Sequence, residues 1–125
     1  MGETGTVLWN ELSTTDPEAA RRFYAAVLGW AYEEMAGPDG PYTICKAGEA
    51  MAGGLMKTPA AEMPSKWVPY FQVADVDATA RAIEQAGGRI LFPAMDVENV
   101  GRMVWAADPT GATIAFMTPF AMPEG

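Results

Sequence analysis

The chain has 125 residues, 50% of them hydrophobic, which fits one domain able to bury a core without staples. With 16 acidic residues against 8 basic, its net charge of −8 repels nucleic acid and anionic membrane, both of which are held by clustered Lys and Arg. Having no histidine and a single cysteine, Cys45, it is denied a Ser-His-Asp triad, a histidine base, a histidine-rich metal cluster and any internal disulfide.

The N-terminal Met1-Gly2-Glu3-Thr4 carries no basic, hydrophobic signal region, and no apolar run reaches membrane-spanning length. A soluble, cytoplasmic protein is predicted. A first strand is expected around Thr6 to Leu12. A helix then opens at Thr15-Asp16-Pro17-Glu18, where Thr15 and Glu18 form a capping box and Asp16 with Pro17 offers an alternative cap and first position. Ala19, Ala20, Phe23, Tyr24, Val27 and Leu28 recur at helical spacing as one apolar stripe ended by Gly29, which predicts that Phe23 and Leu28 are core. Short strands follow up to Met56-Lys57, two of them separated by the turn Gly37-Pro38-Asp39-Gly40-Pro41. Cys45 reads as a small buried strand residue, since no histidine is present to activate it as a nucleophile. Gly53-Gly54 matches no phosphate loop and reads as a bulge or a close backbone approach.

Residues 58–66, broken by Pro59 and Pro64, read as a linker. Beyond it the order repeats: a strand around Trp67 to Val73, a helix opening at Asp75-Val76-Asp77 with Val76, Ala80, Ile83 and Ala86 inward, a stop at Gly87-Gly88, and strand-like stretches Arg89–Phe92, Gly101–Ala107 and Gly111–Pro119. Asp108-Pro109-Thr110-Gly111 makes the last hairpin. Asp16 and Asp75 lie 59 residues apart, and Gly29 and Gly87 lie 58 apart. That near-constant offset predicts an α+β domain over residues 1–125 built from two tandem βαβββ modules, 6–57 and 67–119. Helices cover the outside, and a concave face is left within.

Alternation places Trp9 and Glu11 on one face of the first strand, against Leu8, Asn10 and Leu12 on the other; Trp9 and Glu11 are taken as the cavity side, and the assignment reverses if Leu8 and Asn10 face inward. A tryptophan beside a carboxylate suits a ligand with a flat apolar part and a hydrogen-bond donor or positive charge; the alternative is a packed tryptophan with a surface glutamate. Met56, Met103 and Met117, with Met95, lie in strands or at strand edges near the expected cavity, as adaptable lining or as core filler. Trp67, Tyr70 and Trp105 are further lining candidates, and Tyr42 is placed to close the mouth.

These residues resemble the vicinal oxygen chelate superfamily, the glyoxalase/bleomycin-resistance/dioxygenase group. The resemblance is carried by Asp16-Pro17-Glu18-Ala19-Ala20-Arg21-Arg22-Phe23-Tyr24 leading to Leu28-Gly29-Trp30, then Phe71-Gln72-Val73-Ala74-Asp75-Val76-Asp77, and Asp108-Pro109-Thr110-Gly111. Trp9-Asn10-Glu11-Leu12 and Pro93-Ala94-Met95-Asp96-Val97 further resemble an actinobacterial, hydroxylase-like subgroup. Metal-dependent members hold a divalent ion with His, Glu or Gln from both modules. Here the matching positions are Ala115, Val68 and, in the first strand, Val7 or Leu8, none of which has a donor atom. The resemblance implies an incomplete barrel with helices outside and, with these departures, a metal-independent, cofactor-free protein that binds an amphipathic metabolite or antibiotic, with Ala115 lining the cavity; a homodimer is expected because two βαβββ modules leave strand edges that paired sheets must cover. The alternative it leaves is a lyase, isomerase or dioxygenase using displaced ligands such as Glu11, Glu49 or Asp96. A third reading is an accessory subunit whose cavity is vestigial.

Overall fold

The computed structural model describes residues 3–37, 40–58, 60, 62–97 and 100–120. Among these the elements run β1 (Val7–Thr14), α1 (Pro17–Leu28), β2 (Ala31–Gly37), β3 (Gly40–Ala47), β4 (Ala50–Lys57), β5 (Lys66–Gln72), α2 (Val76–Gln85), β6 (Arg89–Val97), β7 (Gly101–Ala107) and β8 (Thr113–Pro119). The α+β class and the repeated βαβββ order are those read from the sequence. Two compact units arise, one of residues 9–68 and the other of residues 3–8 with 69–120. The early residues join the second unit through backbone bonds, Gly5 N–H to the Gln72 carbonyl and Gln72 N–H to the Thr6 carbonyl, each 2.8 Å.

In the first unit the strands lie in the order β2-β3-β4-β1, with β1 parallel to β4 and the other neighbours antiparallel. Asp16, not Thr15, caps α1: its carboxylate accepts the Ala19 N–H at 3.1 Å, and Pro17 takes the first position, where its missing N–H costs nothing. Gly29 ends the helix at φ 73°, a left-handed conformation that glycine adopts without a Cβ penalty. One sheet face packs on this helix. Leu12, Cys45 and Leu55 are buried there against Ala20, Tyr24, Trp30 and Tyr32, and each leucine contributes about 1.5–3 kcal/mol.

Contrary to the stripe reading, Phe23 and Leu28 are not core. They are 57% and 53% exposed, and Val27 is 61% exposed. The helix meets its sheet through Ala20 and Tyr24, one turn apart, while Arg21 reaches the sheet with hydrogen bonds to Thr43 and Glu34. Phe23 and Val27 form a neighbouring ridge that the sheet does not cover.

The second unit orders its strands β5-β8-β7-β6, with β5 parallel to β8. Asp75 caps α2 by accepting from the N–H groups of Asp77 and Ala78. Val76 is buried with Val73 and Val104, and Ile83, Ile90, Ala94 and Phe116 pack on them. Ala86, expected inward, is exposed at the C-cap of the helix. The strand β6 runs past the expected Phe92 to Val97. Its ladder shifts register between Ile90 and Phe92 and again between Phe92 and Met95, and such irregularities let a strand hold Pro93 without losing its pairing. Asp108 closes the β7–β8 turn by accepting from Thr110 and Ala112, bonds that hold its carboxyl below the usual range. Arg102, two residues before Val104 and so on the same face of β7 as α2, bonds Asp77 of α2 and Asp96 of β6.

The expected turn at Gly37 to Pro41 and the linker lie partly outside the described residues, at 38–39, 59 and 61. Gly37 and Gly40 are register partners, so β2 and β3 do form a hairpin. Among the described residues no helix is long and apolar enough to cross a membrane.

Candidate functional site

The sheet face turned away from α1 carries the polar chemistry of the first unit. Pairing sets Glu11 beside Gly54 and Gly54 beside Ile44, so these three share a face, and alternation adds Trp9, Ser13, Tyr42 and Met56. A hydrogen-bonded chain runs through it. The Trp9 indole N–H donates to the Tyr42 oxygen at 2.8 Å, and the Tyr42 hydroxyl donates to Glu11 Oε1 at 2.9 Å. Glu11 is a carboxylate only 5% exposed. Burial, reinforced by the Glu11 charge, holds the Tyr42 phenol well above its ordinary pKa, although the Trp9 donation acts the other way. Tyr42 therefore stays a proton donor to Glu11 at any physiological pH.

The Gly53-Gly54 pair explains how the phenol gets there. A Cβ on Gly53 would come within 2.6 Å of the Asn10 carbonyl oxygen, and one on Gly54 would overlap the Tyr42 ring and hydroxyl. The glycines allow close approach, one to a backbone and one to a side chain. Ser13 also belongs to this face; it is 1% exposed, and among the described residues its hydroxyl has no hydrogen-bond partner. Neither Ser13 nor Gly54 was singled out as a site residue from sequence, although Ser13 stands two residues beyond Glu11, the spacing that shares a strand face.

The other candidates fall into two places. In the second unit, register sets Tyr70 beside Ala115, Ala115 beside Trp105, and Met117 beside Met103, all on one face. There the Trp105 indole donates to the Tyr70 hydroxyl at 2.8 Å, and Phe92 meets Trp105 edge to face at 5.6 Å. Trp67 stands apart from the lining candidates. It joins Tyr24 and Trp30 in a ring cluster with centroid separations of 5.4–6.0 Å and donates its N–H to the Tyr24 hydroxyl.

Cys45 lies on the helix side of the first sheet, fully buried, and burial pushes its thiol up to about 11 despite the Arg21 charge. It is expected to resist alkylation by iodoacetamide at pH 8 in the folded protein and to react fully once unfolded, as mass spectrometry of the quenched adduct will read. Rapid labelling of the native chain overturns this assignment.

A family model for the glyoxalase/bleomycin resistance protein/dioxygenase superfamily matches residues 6–116. The chain belongs to that superfamily. It is 41% identical over 120 residues to CFP32 of Mycobacterium tuberculosis, which bears a provisional glyoxylase name, and 33% identical over 126 residues to the anthracycline biosynthesis protein DnrV of Streptomyces peucetius. These alignments cover 95% and 89% of the chain but 46% of each relative, so the chain spans about half the length of the curated relatives it matches. Among solved structures, methylmalonyl-CoA epimerase from Mycobacterium tuberculosis shares the fold with a TM-score of 0.67 at 19% identity, covering 97% of this chain and 93% of that one. A homoprotocatechuate 2,3-dioxygenase variant from B. fuscum gives 0.62 at 21% identity, covering 97% of this chain and 35% of that one.

Metal-dependent members of the superfamily need donors on these faces, and the residues present do not fit. Val68 and Ala115 are fully buried and carry no donor atoms. Among the described residues no group of three His, Cys, Asp or Glu side chains gathers that could hold a metal ion. Of the displaced ligands considered for an enzyme, Glu49 is exposed in the β3–β4 turn and Asp96 is engaged by Arg102.

Proposed function

We propose that the chain is a metal-independent, cofactor-free binding domain for an amphipathic small molecule, a metabolite or an antibiotic, acting in the cytoplasm. The observation that carries this reading is the Trp9–Tyr42–Glu11 chain: an aromatic platform whose polar edges are already ordered around one buried carboxylate. Such a face offers a ligand a flat apolar contact and one acceptor, a combination that fixes orientation without chemistry. Met56 supplies apolar surface beside it on the first unit, whereas on the second unit Tyr70, Trp105, Ala115 and Met117 are buried, with Met103 half-buried among them. The relative named for anthracycline biosynthesis supports a small organic ligand. The epimerase and dioxygenase likenesses concern fold alone, and the lyase, isomerase or dioxygenase alternative has to find its acid–base groups in Glu11 and Tyr42.

The same reading includes a homodimer. Phe23, Val27 and Leu28 leave an apolar ridge uncovered on α1, a surface that a second copy of the chain would cover. Native mass spectrometry of protein purified from its own cells, with elemental analysis, tests both parts. The expected result is a dimer with a co-purified organic molecule and no stoichiometric metal. One tightly held divalent ion per chain supports the enzyme alternative instead, and a chain that stays monomeric on concentration removes the dimer.

A further inference from the structure

We infer that Arg21 of α1 is a positioning residue for the Trp9–Tyr42–Glu11 chain, which it holds in place through Thr43 on the other face of β3. The inference rests on the small-molecule reading for what that chain serves. Arg21 is fixed at both ends. Its carbonyl accepts from the Tyr32 hydroxyl at 2.8 Å, and its guanidinium carbon lies 6.0 Å from the Tyr32 ring centre. Its Nη2 donates to Thr43 Oγ1 at 2.5 Å and to Glu34 Oε2 at 2.6 Å. Its Nε is shielded from water and, among the described residues, has no partner, so the hold on the sheet lies in that one nitrogen.

Where that nitrogen acts decides what it controls. Glu34 and Thr43 are register partners, and the next pair along the hairpin is Met35 with Tyr42. β3 pairs with β4 from Thr43 to Ala47, whereas among the described residues Tyr42 pairs with β2 alone. Thr43 is thus the last residue of β3 gripped on both sides, and Tyr42 the first gripped on one. The phenol nevertheless has to reach over Gly54 of β4 to Trp9 and Glu11 of β1, a strand about 10 Å from β3. A small tilt of β3 at Thr43 is magnified at the end of that side chain, where bonds of 2.8 and 2.9 Å weaken steeply with misalignment. Of the two acceptors, Thr43 is the firmer anchor: it is 1% exposed, while the Glu34 side chain is 55% exposed and screened by water. Apolar contacts of Ala20 and Tyr24 dock α1 on its sheet, so the seat of the helix does not depend on Arg21.

The four indole N–H signals of the chain, followed by NMR with no ligand added, test the inference. Arg21→Met keeps the apolar stem and Thr43→Val the branched shape. Each is expected to shift the Trp9 signal and to speed its hydrogen exchange about 3–10-fold, the loss of one hydrogen bond. The signals of Trp67, bonded to Tyr24 of α1, and of Trp105, in the second unit, are expected to stay in place. The double variant should lose no more than either single one, Glu34→Gln should change little, and Arg21→Lys should give an intermediate loss. An unmoved Trp9 signal in Arg21→Met and Thr43→Val overturns the inference. So does a Trp67 or Trp105 signal that moves with Trp9, because Arg21 then only packs the helix or supports the fold as a whole. A Glu34→Gln effect as large as that of Thr43→Val also overturns it, by placing the hold on the exposed ion pair. None of these outcomes touches the small-molecule reading, which native mass spectrometry decides.

Discussion

Replacing Gly54 by alanine is expected to destabilise the chain by about 2–4 kcal/mol and to abolish ligand uptake on the first unit. The added methyl group would occupy the space of the Tyr42 hydroxyl and ring, so the phenol has to leave. Its departure removes a donor from Glu11, a carboxylate buried to within 5% of full coverage, and an acceptor from the Trp9 indole. Against a domain stability of about 5–15 kcal/mol, that is a loss visible as a lower urea midpoint at unchanged slope. A double-mutant cycle separates the cause. In a Tyr42→Ala background the extra methyl meets an empty space, so most of the Gly54→Ala penalty should vanish. Additive penalties in the cycle mean that Gly54 matters for its backbone, and that Tyr42 is not what it accommodates.

Legibility followed the range of the physics. Helix starts are local events, and Asp16 and Asp75 announced them because a capping carboxylate needs only N–H groups two or three residues ahead. Strand alternation is equally local, which is why Leu12 falls on the α1 side and Trp9 and Glu11 share a face with Tyr42. What periodicity does not contain is the width of the contact. The stripe on α1 groups Phe23, Val27 and Leu28 with Tyr24, yet the covering sheet touches only the ridge through Ala20 and Tyr24. The expected strand Arg89–Phe92 erred in the opposite direction, being too short, because register shifts let β6 continue through Pro93 to Val97. Trp67 needed a partner 43 residues away, Tyr24, to show which cluster it joins, and no spacing in its own strand carries that. Ser13 was readable in position but not in significance, since an orphaned hydroxyl becomes visible only when every neighbour is placed.

Trp105→Ala is expected to cost about 3–5 kcal/mol, enough to leave a domain of ordinary stability partly unfolded at 37 °C. The indole is 4% exposed, packed edge to face on Phe92, and bonded to a Tyr70 hydroxyl whose residue is 1% exposed. Truncation opens a cavity and takes the indole donor from Tyr70. Tyr70→Phe isolates the polar part of that loss: it keeps the ring, leaves the Trp105 N–H without its acceptor, and should cost a smaller 1–3 kcal/mol or so. Chemical denaturation of both variants, paired with ligand uptake, decides what these side chains are for. A large stability loss in Trp105→Ala with the smaller one in Tyr70→Phe identifies a packed core in which the indole–phenol bond is internal. If instead Trp105→Ala stays within about 1 kcal/mol of the parent while uptake disappears, the pair lines a cavity that the sheet leaves open, and the packing account of the second unit is wrong.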